Sequence, residues 1–193
     1  ALRLSSSADD YGPGPGPLKA YYRAIARACD LPLMIQNLSI PLGADLSSEF
    51  IVELCEEIPQ AQYVKEERQL QRQRVSELIA AKSPAIKAVF GGGTLLGMAD
   101  AHKRGAAGYL AATYVPDIDA QIWDLMEAGD EAGARRVEDA LAVLEKARRG
   151  TPAPHVDRKE ILVWRGVFST HRSRINYRPL DDPFRAELRY GYE

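Results

Sequence analysis

Apolar residues along this chain fall into short runs, separated by longer stretches in which they recur every three or four positions. The runs "ALRLS" (1–5), "LPLMIQN" (31–37), "AQYVK" (61–65), "AIKAVF" (85–90) and "AGYLAAT" (107–113) have the length of strands. Between them Leu18, Tyr21, Tyr22, Ile25 and Cys29 share one helical face. Ser47 stands as an N-cap before a helix through Cys55, with Leu46 and Ile51 spaced as a hydrophobic staple. Further helices are predicted over roughly 68–82 and 94–103, and another carries Ile122, Leu125 and Met126. "YGPGPGP" (11–17) alternates residues that remove donors and add backbone freedom, so it reads as a long surface loop.

After residue 130 the strand signal stops. Val137, Leu141 and Leu144 mark a helix closed by Arg148, Arg149 and Gly150, a basic last turn with a glycine cap. "TPAP" (151–154) interrupts, another helix runs to Trp164 before Gly166, and the tail from Ser169 to Glu193 is polar and weakly patterned. Strand–helix alternation repeated five times calls for a parallel sheet with helices outside. Two α/β architectures meet that demand: an open doubly wound sheet, or part of a (β/α)8 barrel. A complete barrel takes about 250 residues, so five units form a partial one. Residues 1–129 then make the βα part and 130–193 a C-terminal helical extension.

Composition narrows the function. With 46% hydrophobic and 27% charged residues and a formal net charge of −2, the chain has no basic stripe suited to nucleic acid. No apolar run approaches the ~20 residues that span a bilayer, and the first residues lack the apolar core of a signal peptide. The expectation is a cytoplasmic protein. Cys29 and Cys55 both sit on apolar helical faces, which favours two reduced core thiols over a disulfide, and a disulfide over a metal site.

The candidate chemistry centres on "AQYVKEE" (61–67), an interior strand that runs into an amine and two carboxylates. Strand alternation puts Tyr63, Lys65 and Glu67 on one side and Val64 and Glu66 on the other. Lys65 is either a solvated strand-end charge or a pocketed nucleophile. A nucleophilic lysine must be neutral, whereas an unperturbed amine has a pKa of about 10.4. Burial lowers that toward ~7–8, and a nearby carboxylate opposes the shift. The reactive reading therefore requires both glutamates to point away or to be paired elsewhere.

Gly91–Gly93 follows a strand and precedes a helix. It is either an anion cradle or a tight turn; its spacing to Gly97 is one residue too long for a dinucleotide fingerprint. His102, His155 and His171 have no metal-ligand spacing and read as surface or packed residues. The acidic pairs at 56–57 and 181–182 read as solvated charges.

The order of these pieces, "YYRAIARACDLPLMIQN", "GADLSSEFIVEL", "YVKEE" and "GAAGYLAAT", resembles the dihydrodipicolinate synthase / N-acetylneuraminate lyase family over about residues 1–150. That resemblance implies a (β/α)8 barrel in which the five strands here are the fourth to eighth. It also implies that Lys65 is the lysine forming a Schiff base with a 2-keto acid. Gly93 then falls at the mouth of the site, Leu110 lines it with a backbone carbonyl, and Gln36 and Asn37 position substrate. No metal or organic cofactor is implied, and family members are commonly homo-oligomers.

Three departures shape the expectation. The family's Tyr-Asn pair is Gln36-Asn37 here, and an amide cannot relay a proton at neutral pH. The arginine that many members use for a second carboxylate matches Pro41. The first three barrel strands, with their Gly-Thr-Thr-Gly-Glu motif, have no counterpart, so the chain corresponds to the C-terminal part of a member and is expected to show poor activity alone. The combination resembles the branch that dehydrates or cleaves 2-keto-3-deoxy sugar acids. Alternatives are a non-catalytic keto-acid-binding or regulatory member, an inactive fragment, a pyridoxal phosphate enzyme with Gly91–Gly93 at the phosphate, or a purely partner-binding protein.

Overall fold

Five parallel strands form one sheet: β1 (Leu2–Leu4), β2 (Leu33–Asn37), β3 (Ala61–Glu66), β4 (Ala88–Gly92) and β5 (Gly108–Leu110), neighbours in chain order. The structure is a computed structural model that describes residues 2–4, 15–39, 43–68, 70–93, 96–111, 113–151, 155–174 and 177–193. Strand order decides between the two architectures. A doubly wound sheet reverses direction at its switch point, whereas these strands advance by one neighbour throughout, as in the wall of a barrel.

The crossovers are α1 (Pro15–Ala28), α2 (Ser48–Glu57), α3 (Gln71–Ala80) and α4 (Met98–Lys103). They close a core of Leu18, Tyr22, Leu33, Ile35, Ile51, Leu54, Val64, Val75, Leu78 and Val89. Leu46 and Ile51, the staple pair, are both buried in it. Ser47 caps α2 by accepting the Phe50 N–H at 3.1 Å. Replacing Ser47 with Ala is expected to cost about 1 kcal/mol in urea unfolding, and Ser47→Asp very little; equal losses in both would remove the cap from the account. Cys55 is buried in the core and Cys29 half-buried, both as free thiols. Burial pushes the Cys55 thiol up to about 12.

Contacts divide the chain into two compact units, residues 1–93 with 97–110, and residues 94–96 with 111–193. Within the second, α5 (Pro116–Glu127), α6 (Glu131–Ala147), α7 (Val156–Trp164) and α8 (Asp182–Tyr192) bury Val115, Ile122, Leu141, Leu144, Ile161 and Leu188. Arg148 ties this unit together. Its guanidinium lies 4.5 Å over the Tyr114 ring, donates to Asp157 at 2.5 Å and pairs with Glu145.

Three elements differ from the sequence expectation. Residues 15–17 open α1 rather than prolong a loop; a proline in a first helical turn forfeits only an N–H that has no intrahelical partner. Residues 11–14 of that segment, Pro41 and residues 152–154 lie outside the described residues. Gly91 and Gly92 belong to β4, held in register with Tyr109 and Leu110, and only Gly93 turns, at φ +102°. The polar tail contains α8, capped by Asp181, which accepts from the Phe184 N–H at 2.9 Å. Asp181 is thus a helix cap rather than a bare solvated charge. Among the described residues, no helix is long and apolar enough to cross a membrane.

Candidate active site

Lys65 stands one residue before the C-terminal end of β3, in register with Gln36 on β2 and Phe90 on β4. In parallel α/β sheets this end is where ligands bind. The residue is 4% exposed, so its ammonium is almost out of water. Its Nζ lies 2.6 Å from Glu67 Oε1, and the two side chains are 5% and 9% exposed. The Gln36 carboxamide donates to the other oxygen, Oε2.

Alternation sends the next residue the other way. Glu66 is completely buried on the opposite side of β3, where its carboxylate accepts from Asn37 Nδ2 and from the Arg68 N–H, each at 2.9 Å. Burial raises its pKa, against the pull of these hydrogen bonds and of Arg74 and Arg68. Asn37 also donates to the Leu46 carbonyl and accepts the Leu46 N–H, both at 2.9 Å. Its amide therefore ties the end of β2 to the segment entering α2.

Lys65 and Glu67 owe their place to missing side chains on β4. A Cβ on Gly92 would stand 2.3 Å from Lys65 Cε, 3.0 Å from Glu67 Cγ and 3.2 Å from the Leu110 carbonyl oxygen. One on Gly93 would stand 3.6 Å from Glu67 Oε1. The Gly92 carbonyl is itself fixed by Gln71 Nε2 at 2.8 Å and the Tyr109 hydroxyl at 3.2 Å. Chemically, the arrangement is a buried amine and carboxylate in contact, packed against the backbone of Gly92 and Gly93.

Of the residues singled out in the sequence, Lys65, Gln36, Gly93 and Leu110 are brought together. Asn37 is not; it faces the core side with Glu66. The requirement that both glutamates avoid the amine holds for Glu66 and fails for Glu67, because residue 67 keeps the strand's alternation and returns to the side of Lys65. Glu67 was required to stay clear of the amine and Gly92 was one glycine of a cradle or a turn, yet both lie against Lys65. The two-residue spacing from Lys65 already pointed to Glu67, and the position of Gly92 beside Leu110 emerges only from strand register. His102 lies in the last turn of α4, His155 precedes α7 at φ +71°, and exposed His171 lies 3.7 Å from Glu160. Among the described residues, no group of His, Cys, Asp and Glu side chains is arranged to hold a metal ion.

Comparison with known proteins adds the following. The model of the dihydrodipicolinate synthetase family matches residues 12–190. Among solved structures, the dihydrodipicolinate synthase from Rhodopseudomonas palustris superposes with a TM-score of 0.81 at 21% identity, over 100% of this chain and 62% of that one. The enzyme of the same name from Thermotoga maritima gives 0.77 at 17% identity, over 93% and 61%. That from Aquifex aeolicus gives 0.76 at 20% identity, over 92% and 60%. The chain thus spans about three-fifths of these structures, and the parallel βα units match part of their barrel-type fold. No curated protein matches the chain.

Proposed function

The chain belongs to the dihydrodipicolinate synthetase family, and from that premise we propose that it serves a lyase reaction in which Lys65 forms a Schiff base with a 2-keto acid. The observation that carries the reading is a lysine almost removed from water at the C-terminal end of a parallel strand, seated against β4 where Gly92 has no side chain. In this reading β1 to β5 take the places of the fourth to eighth barrel strands. Residues 1–129 supply the βα units and 130–193 the helical extension.

The neutral amine attacks the C2 carbonyl and water leaves, giving an iminium. Its positive nitrogen draws electrons from C3, so that loss of a C3 proton or cleavage of the C3–C4 bond follows. Gln36 orients the carboxylate beside Lys65, while Gly93 and the Leu110 carbonyl border the substrate. Gln36 matches the family's tyrosine relay, and Pro41 matches the arginine that many members use for a second carboxylate. The substrate is therefore a 2-keto-3-deoxy sugar acid rather than one with a second acid group, and the reaction is dehydration or aldol cleavage. The working protein is a cytoplasmic homo-oligomer that needs no cofactor.

Incubation with pyruvate, borohydride reduction and mass spectrometry of the digest is expected to find an adduct on the peptide containing Lys65, absent from Lys65→Arg. No adduct in folded protein overturns the reading. The contact of the Lys65 amine with the Glu67 carboxylate, at 2.6 Å, favours one second reading: a protein that binds keto acids without turnover. It would show pyruvate-dependent stabilisation with no trapped adduct.

A further inference from the structure

We infer that Glu67 is the acid–base group that serves Lys65, an inference that rests on the Schiff-base reading above. The site needs something to remove the ammonium proton, and Gln36 has no proton to exchange. Glu67 Oε1, at 2.6 Å from Nζ, is in direct hydrogen-bond contact with the atom that reacts. Gln36 holds the far oxygen, which fixes the carboxylate plane. Gly92 and Gly93 keep side chains off the near flank. Glu66, the other carboxylate of the motif, is turned away and bonded to Asn37 and Arg68.

Burial makes the transfer accessible. An ion pair out of water bears the desolvation of two charges, and moving one proton across the contact leaves two neutral groups. The steps balance as follows. The ammonium gives a proton to the Glu67 carboxylate, and the freed amine adds to C2. The carboxyl protonates the resulting alkoxide, takes a second proton from nitrogen, and returns it to the hydroxyl, which leaves as water. The product is an iminium and an ionised Glu67. That carboxylate then takes a proton from C3, two bonds from the iminium nitrogen, and the C–H electrons form the enamine.

The test is deuterium exchange at C3 of pyruvate in heavy water, followed by proton NMR. Glu67→Gln is expected to slow exchange by about 100-fold or more, while borohydride still captures pyruvate on Lys65 after long incubation. Added formate is expected to restore exchange in Glu67→Ala, an effect that a merely structural role would not produce. Glu67→Asp keeps a carboxylate on the same backbone; should the other variants fail to fold, its retained but slower exchange is the expected result. Wild-type exchange rates in Glu67→Gln, or indifference of a pyruvate-capturing Glu67→Ala to formate, overturn the assignment of Glu67 alone. Absence of any Lys65 adduct in the wild type overturns the lyase reading and this inference with it.

Discussion

Replacing Gly92 with alanine is expected to abolish borohydride trapping at Lys65 while leaving the protein folded. The backbone at Gly92 is in β4 and does not have a positive φ, so alanine meets no conformational penalty there. Space is the difficulty. The new methyl group would stand 2.3 Å from Lys65 Cε and 3.0 Å from Glu67 Cγ. Both atoms belong to flexible side chains and yield before the backbone does. The Leu110 carbonyl oxygen, 3.2 Å away, blocks the opposite escape. Lys65 must then swing off its rotamer and leave Glu67. A misplacement of this size costs about 100-fold in reactivity, against roughly 1–3 kcal/mol of stability from overpacking. Gly16→Ala, where nothing lies within 4 Å of the added carbon, is the control and should trap normally. A Gly92→Ala protein that traps pyruvate at the wild-type rate would show that the amine works from some other position.

Much of this arrangement is legible in the residues themselves. Strand alternation is a local property, so the separation of Lys65 and Glu67 from Val64 and Glu66 could be read before any contact was known. The cap at Ser47 is local as well. What escaped depended on partners distant in sequence. Asn37 looks like a site residue because it follows Gln36; its role emerges only when Leu46 folds back to take two of its hydrogen bonds and Glu66 on β3 takes the third. Gly92 looks like one glycine of three until register sets it beside Leu110. The start of one helix and the whole of another were hidden for different reasons. The prolines and glycines at the start of α1 obscure an ordinary first turn, and in α8 the spaced Phe184, Leu188 and Tyr192, of which only Leu188 is fully buried, stand out little from a polar tail.

The stability of the chain is expected to fall by about 2 kcal/mol between pH 4 and pH 7 on account of one residue, Asp119. It lies in the first turn of α5, is 6% exposed, and neither of its carboxylate oxygens meets a hydrogen-bond donor among the described residues. Burial, with the charge of Asp117 behind it, pushes the carboxyl up from 3.8 to about 6. The sign follows from proton counts. Between 3.8 and about 6 the folded chain binds a proton that the unfolded chain has lost, so stability decreases as pH rises through that window. Below it both states are protonated; above it a buried charge persists without a partner. Asp117 does not blur the window: burial pushes its carboxyl up, but the hydrogen bond from Arg165 at 2.6 Å, the Asp117 and Ile118 backbone N–H groups and the Arg165 charge together hold its titration lower. Glu66 shifts in the same direction as Asp119, but it is common to wild type and variant and cancels in their difference. Urea unfolding of Asp119→Asn and wild type at several pH values isolates the residue. The variant should gain about 2 kcal/mol relative to wild type from pH 4 to pH 7, whatever the fixed cost of burying its amide. A difference between the two proteins that stays constant with pH would mean that Asp119 is solvated or paired when folded.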